Sequence, residues 1–102
     1  MQFSISSGVN YREFEGKVNE KLRNGWQLWG NPFYDPKFGR YCQATIKNQN
    51  GVPMQFVLCI GANHREFEEK VNEILQEGWQ LWGNPFYDPK FGQYCQAVIK
   101  TN

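Results

Sequence analysis

The chain is one short sequence written twice. Shifted by 53 positions it lies on itself, so that Met1-Gln2-Phe3 falls on Met54-Gln55-Phe56 and Ile46-Lys47 on Ile99-Lys100. Of 49 aligned positions 35 are identical, and the differences are unevenly spread. Six of the first eleven positions differ, and four of the next thirteen. Residues 25–39 and 78–92 both read GWQLWGNPFYDPKFG without a change. A unit this short buries little core alone, so two copies are expected to share one. Function is then expected at two related places.

Local signals divide each copy into four elements. Residues 2–7 alternate and predict a strand, matched by residues 55–60. Asn10 with Glu13, and Asn63 with Glu66, predict helix N-caps with a capping-box partner. In the helix that follows, over 11–24, Phe14, Val18 and Leu22 form one apolar stripe; the second copy has Phe67, Val71, Ile74 and Leu75. Gly25 and Gly78 stand where left-handed C-caps are expected. Residues 26–29 predict a strand ending at Gly30-Asn31-Pro32. Residues 33–39 predict a connection in which Asp35-Pro36 favours a type I turn and Gly39 takes positive φ. Residues 41–46 predict the last strand.

The expected organisation is therefore a first β-α-β-β repeat over 1–49, a linker over 50–53 and a second repeat over 54–102, forming one compact domain. A β-α-β unit followed by a hairpin places its third strand between the first two, all antiparallel. The expected fold class is α+β: two β-α-β-β repeats with pseudo-two-fold symmetry, antiparallel sheets and two helices on one face. The sheets either join edge to edge or stack face to face.

Strand alternation sorts the side chains. Phe3, Ile5, Trp26, Leu28, Cys42, Ala44 and Ile46 are assigned to the core face beneath the helix stripe. Gln2, Ser4, Gln27, Trp29, Tyr41, Gln43 and Thr45 fall on the other face, where the second copy repeats Gln55, Gln80, Trp82, Tyr94 and Gln96. Large rings beside glutamines supply stacking surface with paired donors and acceptors, which suits a planar polar ligand or a polar protein interface. The connection adds Tyr34, Lys37 and Phe38, repeated as Tyr87, Lys90 and Phe91; a ring and an ammonium on one rigid loop can grip a base and a phosphate. Arg40 becomes Gln93, so an anion contact there would differ between the copies.

Composition excludes several classes. Net charge is +1 with acids and bases mixed, against a duplex-DNA or membrane-surface protein. No apolar run approaches the roughly 20 residues that span a bilayer. Three cysteines, an odd number, read as free thiols in a reducing compartment, and Cys42 and Cys95 as packing residues. The single histidine, His64, has Tyr11 as its counterpart, so no catalytic site built on histidine is doubled. No metal, nucleophile or phosphate-loop motif is present, and no cofactor, metal site or catalytic residue is expected. The seventeen aromatic residues are more than a small core hides.

The pattern Gly25, Trp26, Leu28, Gly30, Pro32, Phe33, then Cys42, Gln43 and Ala44, each repeated 53 residues on, resembles a family of small bacterial and phage domains of unknown function, the DUF 1737 group. The resemblance covers nearly the whole chain, twice. It implies a bacterial or phage origin and a β-α-β-β unit of about fifty residues; the tandem duplication and the aromatic loop go beyond the family's minimal pattern, and with the free thiols the expected place is the bacterial cytoplasm. It carries no activity.

The leading expectation is a non-enzymatic binding protein. Two equivalent sites would hold a planar, nucleotide-like molecule, as in a phage protein that sequesters a host nucleotide immune signal. The expected ligand residues are Gln27, Trp29, Tyr34, Lys37, Phe38, Arg40, Tyr41 and Gln43, with Gln80, Trp82, Tyr87, Lys90, Phe91, Tyr94 and Gln96. The alternative is a homo-oligomerising interaction module using the same aromatic face. A third reading, single-stranded nucleic acid, needs a basic track that the composition does not advertise.

Overall fold

The computed structural model describes residues 1–47 and 54–101, so the expected linker over 50–53 lies outside them. The elements run β1 (Gln2–Gly8), α1 (Tyr11–Arg23), β2 (Trp26–Asp35), β3 (Arg40–Lys47), β4 (Met54–Gly61), α2 (His64–Gln76), β5 (Gln80–Asp88) and β6 (Gln93–Thr101). The fold is α+β. Each β-α-β-β repeat makes its own three-stranded antiparallel sheet, ordered β1-β3-β2 and β4-β6-β5, with the last strand central as the connectivity predicts.

The helix signals act as read. The Asn10 and Asn63 side chains accept the backbone N–H of Glu13 at 2.8 Å and of Glu66 at 2.9 Å. The two glutamates turn to Lys17 at 3.4 Å and Lys70 at 3.2 Å. Gly25 and Gly78 follow the helix ends with positive φ. β2 and β5, by contrast, do not stop at Gly-Asn-Pro. They absorb it as a bulge: Trp29 pairs with Ala44 and Phe33 with Cys42, so three residues of β2 face one of β3. The second copy repeats this between Trp82 and Phe86. The carbonyls thrown out of the ladder are taken up by glutamine. Gln43 Nε2 lies 3.1 Å from the Trp29 oxygen and 3.2 Å from that of Gly30, and Gln96 Nε2 lies 3.0 and 3.2 Å from those of Trp82 and Gly83.

Register corrects the sequence-based division of faces. Residues directly opposite share a face. Gln27, Trp29 and Phe33 lie opposite Ile46, Ala44 and Cys42, and so join Phe3 and Ile5; Leu28 lies opposite Thr45 and joins Tyr41 and Gln43. The helix covers this second, mixed face. A Cβ on Gly8, which pairs with Tyr41, would sit 2.5 Å from the Phe14 nitrogen, so only glycine admits the helix this close. Alternation was legible within each strand, but the phase between strands depends on pairing, which no local pattern fixes.

The four layers follow in order: first sheet, α1, second sheet, α2. Phe14, Val18 and Leu22 of α1 meet Leu28 and Tyr41 below and Phe56, Leu58, Cys95, Ala97 and Ile99 above in one core. The Phe14 ring stands 5.9 Å from that of Tyr41 and 5.5 Å, edge on, from that of Phe56. α1 also closes the outer edge of β4. Asn19 Nδ2 donates to the Phe56 oxygen at 2.9 Å, its Oδ1 accepts from the Phe56 nitrogen at 2.8 Å, and a Glu15 oxygen accepts from the Leu58 nitrogen. Burial raises the pKa of the Glu15 carboxyl, while the Leu58 N–H and Arg12 pull it down.

The contacts between the repeats run one way, unlike those of a two-fold. Phe56 is 0% exposed, but its mate Phe3 is 64% exposed. Asn19 is half-buried on β4, whereas Asn72 is exposed. The second sheet sits on the helix of the first repeat; among the described residues nothing covers the outer side of α2, which has no fully buried residue. The cause is geometric: once one repeat covers the other's helix, its own helix faces away.

Equal sequence should then have unequal effect. Phe14→Ala is expected to cost about 3–5 kcal/mol, and Phe67→Ala at least about 1 kcal/mol less because its ring is partly solvated already. Urea unfolding of both variants checks the order, and equal losses would contradict the layering.

Candidate ligand cleft between the repeated loops

The four-residue turn after β2 is built by Asp35. Its carboxylate accepts the Lys37 N–H at 2.9 Å, and its backbone oxygen accepts the Gly39 N–H at 2.8 Å, with Gly39 at φ 65°. Asp88 repeats the first bond with Lys90 at 2.8 Å. The one-way stacking then separates the two aspartates. Asp88 is fully buried and takes a short hydrogen bond from the Tyr41 hydroxyl, while Asp35 stays half-buried.

Beside this bond the two loops border an open, shallow cleft of about 460 Å³, lined by Tyr34, Pro36, Phe38, Gly39, Pro89 and Lys90. Phe38 is 66% exposed, so its ring is open to solvent. The Lys37 ammonium lies 5.3 Å from the centre of the Phe38 ring. Lys90 Nζ and Tyr34 Oη both lie close to Gly39: a Cβ there would lie 3.4 Å from the first and 3.5 Å from the second. The Tyr34 hydroxyl is buried and makes no hydrogen bond of good geometry. Burial first, then the Asp88 carboxylate, raises its pKa. The cleft thus offers an open ring and ammonium donors, with a buried hydroxyl beside Asp88. Those groups can stack a flat molecule and neutralise an anion.

Of the expected ligand residues, the structure gathers Tyr34, Lys37, Phe38 and Lys90 around this cleft. Arg40 is half-buried opposite Asp35 at the start of β3. Tyr41, Gln43 and Gln96 belong to the fold instead: Tyr41 is core, and both glutamine NH2 groups donate to the bulge carbonyls. Trp29 is 59% exposed on the far face of the first sheet, with Gln27 beside it. Trp82, next to exposed Gln80, is half-buried and donates to the Gly30 oxygen at 3.0 Å. Tyr87 and Phe91 are exposed, and Tyr94 stacks with His64, Phe67 and Tyr87. The two repeats therefore do not present two equal sites within one chain. Sequence reasoning missed Pro36, Pro89 and Asp88. Nothing local separates Asp88 from Asp35; only the stacking does.

A second cleft of about 380 Å³ runs between α1 and the first sheet, and Lys21 lies over the Trp26 ring at 4.1 Å there. The thiols are no better placed for chemistry. All three are buried, and burial pushes Cys59 up to about 11 and Cys95 up to about 12. Among the described residues no three of His, Cys, Asp and Glu cluster as metal ligands, and no helix is long and apolar enough to cross a membrane.

Residues 57–101 match the model of the family described as Domain of unknown function (DUF1737). The second repeat carries a DUF1737 domain. The matched segment contributes Pro89 and Lys90 to the cleft, and the first repeat contributes the rings. No curated protein and no solved structure matches the chain.

The buried pair predicts an alkaline limit. Burial, then the Asp88 bond, holds the Tyr41 proton far above its ordinary 10.0, and Cys95 is held above its ordinary 9.0. The folded state therefore keeps protons that the unfolded chain releases. Their contribution to stability is flat below about pH 9 and is lost as pH rises beyond it. Tyr41→Phe leaves an Asp88 oxygen without its donor and is expected to cost about 1–3 kcal/mol at pH 7 while shrinking the alkaline loss. Tyr94→Phe should change stability by less than about 0.5 kcal/mol. Denaturant melts across pH 7–11 check all three.

Proposed function

We propose that the protein is a non-enzymatic binding protein that holds a planar, anionic small molecule of nucleotide type in the cleft between its two loops. The observation that carries this reading is the convergence there of the exposed Phe38 ring and the Lys90 ammonium, with the Tyr34 hydroxyl buried beside them. A volume of about 460 Å³ is in the range of small-molecule sites. Binding without turnover fits the residues: the thiols are buried and protonated, and the one histidine sits exposed in the first turn of α2.

The match of the second repeat, with 35 of 49 positions shared by the first, supports reading the chain as a tandem duplication of the DUF1737 unit. The family resemblance supports a bacterial or phage source and a place in the host cytoplasm. For a phage protein, tight binding without catalysis serves to sequester a host nucleotide immune signal.

Calorimetry against a panel of mono-, di- and cyclic nucleotides tests the reading. One ligand per isolated chain is expected, and Phe38→Ala and Lys90→Ala should each weaken it about tenfold or more, the equivalent of 1.4 kcal/mol. Phe91→Ala should have a smaller effect. Absence of heat and of any melting shift with every nucleotide at millimolar concentration would sink the proposal.

A further inference from the structure

The joint between the repeats uses two different surfaces, and each survives unused at one end of the molecule. The upper surface of α1 carries Phe14, Glu15 and Asn19, with Tyr41 behind them. α2 carries the same residues as Phe67, Glu68 and Asn72, with Tyr94. Glu68 and Asn72 are exposed, and the apolar stripe is only half-buried. The surface that sits on α1 is the edge of β4 and the face carrying Phe56, Leu58, Trp82 and Phe86. Its mates in the first repeat are Phe3, Ile5, Trp29 and Phe33, all exposed.

We infer that copies of this chain join head to tail, the first sheet of one copy seated on α2 of the next in the manner of the second sheet on α1. The occupant of each surface is thus a second copy of the chain, because the chain already contains the complementary half. The polar joint-forming residues all have their counterparts in the new contact. Asn72 would clamp the backbone of the incoming Phe3, as Asn19 clamps Phe56. Glu68 would accept from the incoming Ile5 nitrogen. Tyr94 would find the incoming Asp35, as Tyr41 finds Asp88, and Trp29 would reach the Gly83 oxygen as Trp82 reaches that of Gly30. β1 is an edge strand, so its outer backbone groups are open to this bonding. Ser7 stands where the second repeat has Ile60, which trims the apolar patch and makes the joint between chains weaker than the one within. Surfaces of this head-to-tail kind close into rings or run on as filaments. Docking would also bring the incoming Pro36 and Lys37 over Tyr87, Phe91 and Gly92, completing a second cleft; this last point alone rests on the ligand reading.

Ligand-free sedimentation tests the joint. The wild-type mass should rise with concentration above that of one chain. Phe3→Arg blocks one surface and Asn72→Arg the other; both positions are exposed, so both variants should keep the wild-type circular dichroism and remain single chains. An equimolar mixture should form a two-chain species and grow no further, since one intact surface of each kind remains. Trp29→Arg should behave as Phe3→Arg does. A wild-type chain that stays monomeric at about 1 mM overturns the inference, which sits near the weak limit for specific association. So does an Asn72→Arg variant that still associates fully by itself, or a mixture that stays monomeric. Nucleotide titration of the Phe3→Arg monomer fails only if the ligand reading fails, so the two proposals fall separately.

Discussion

The side chain of Asn19 does the work of a neighbouring strand. Its amide is a near copy of a peptide group, and it bonds both the N–H and the C=O of Phe56 on the outer edge of β4. That contact, with Phe14, Val18 and Leu22 packed beside it, makes α1 common property of two sheets that otherwise meet along β2 and β5 and through Tyr41. An exposed strand edge invites pairing with any other chain, so an edge closed by side chains is protected as well as packed. Remove the clamp, and the second sheet loses its placement, Tyr41 loses Asp88, and the loops lose the distance that defines the cleft.

The layering also explains why identical sequence behaves differently. GWQLWGNPFYDPKFG occurs twice, yet Trp29 is open where Trp82 is seated, and Asp35 is half-buried where Asp88 is enclosed. The residues are the same; what differs is whether another repeat lies on top. A carboxylate deep in the interior is tolerable only because a hydroxyl and the backbone N–H of Lys90 and Phe91 surround it.

Much of the fold could be read directly. Asparagine caps, glycine stops and the i, i+4 stripe each act within one turn of helix, so the helices and the β-α-β-β order were legible. The sheet order followed from connectivity. The division of faces did not, because Trp29 opposite Ala44 rather than beside Tyr41 is a property of register. The bulge hid for a related reason: Gly-Asn-Pro reads as a strand end, and only Gln43 across the ladder lets the strand continue. At the site, the loop residues Tyr34, Lys37, Phe38 and Lys90 were legible as rings and charges on turns. Tyr41 and Gln43 looked like ligand groups because a buried polar side chain and a binding one have the same composition. Their partners, Asp88 and the bulge carbonyls, are what tell them apart.

The Gln43 and Gln96 amides have one more consequence. Each ties its own strand to two successive carbonyls of the next, at a place where the ladder has extra residues to lose. A hairpin pinned in this way cannot slide by a residue without breaking the amide bonds and turning every side chain beyond the bulge to the opposite face. The tips of the two hairpins therefore sit at a fixed reach from the middle of their sheets, set by the length of the inserted Gly-Asn-Pro. The spacing of the loops is measured out by the sheets beneath them, leaving the loop residues free to be chosen for what they touch.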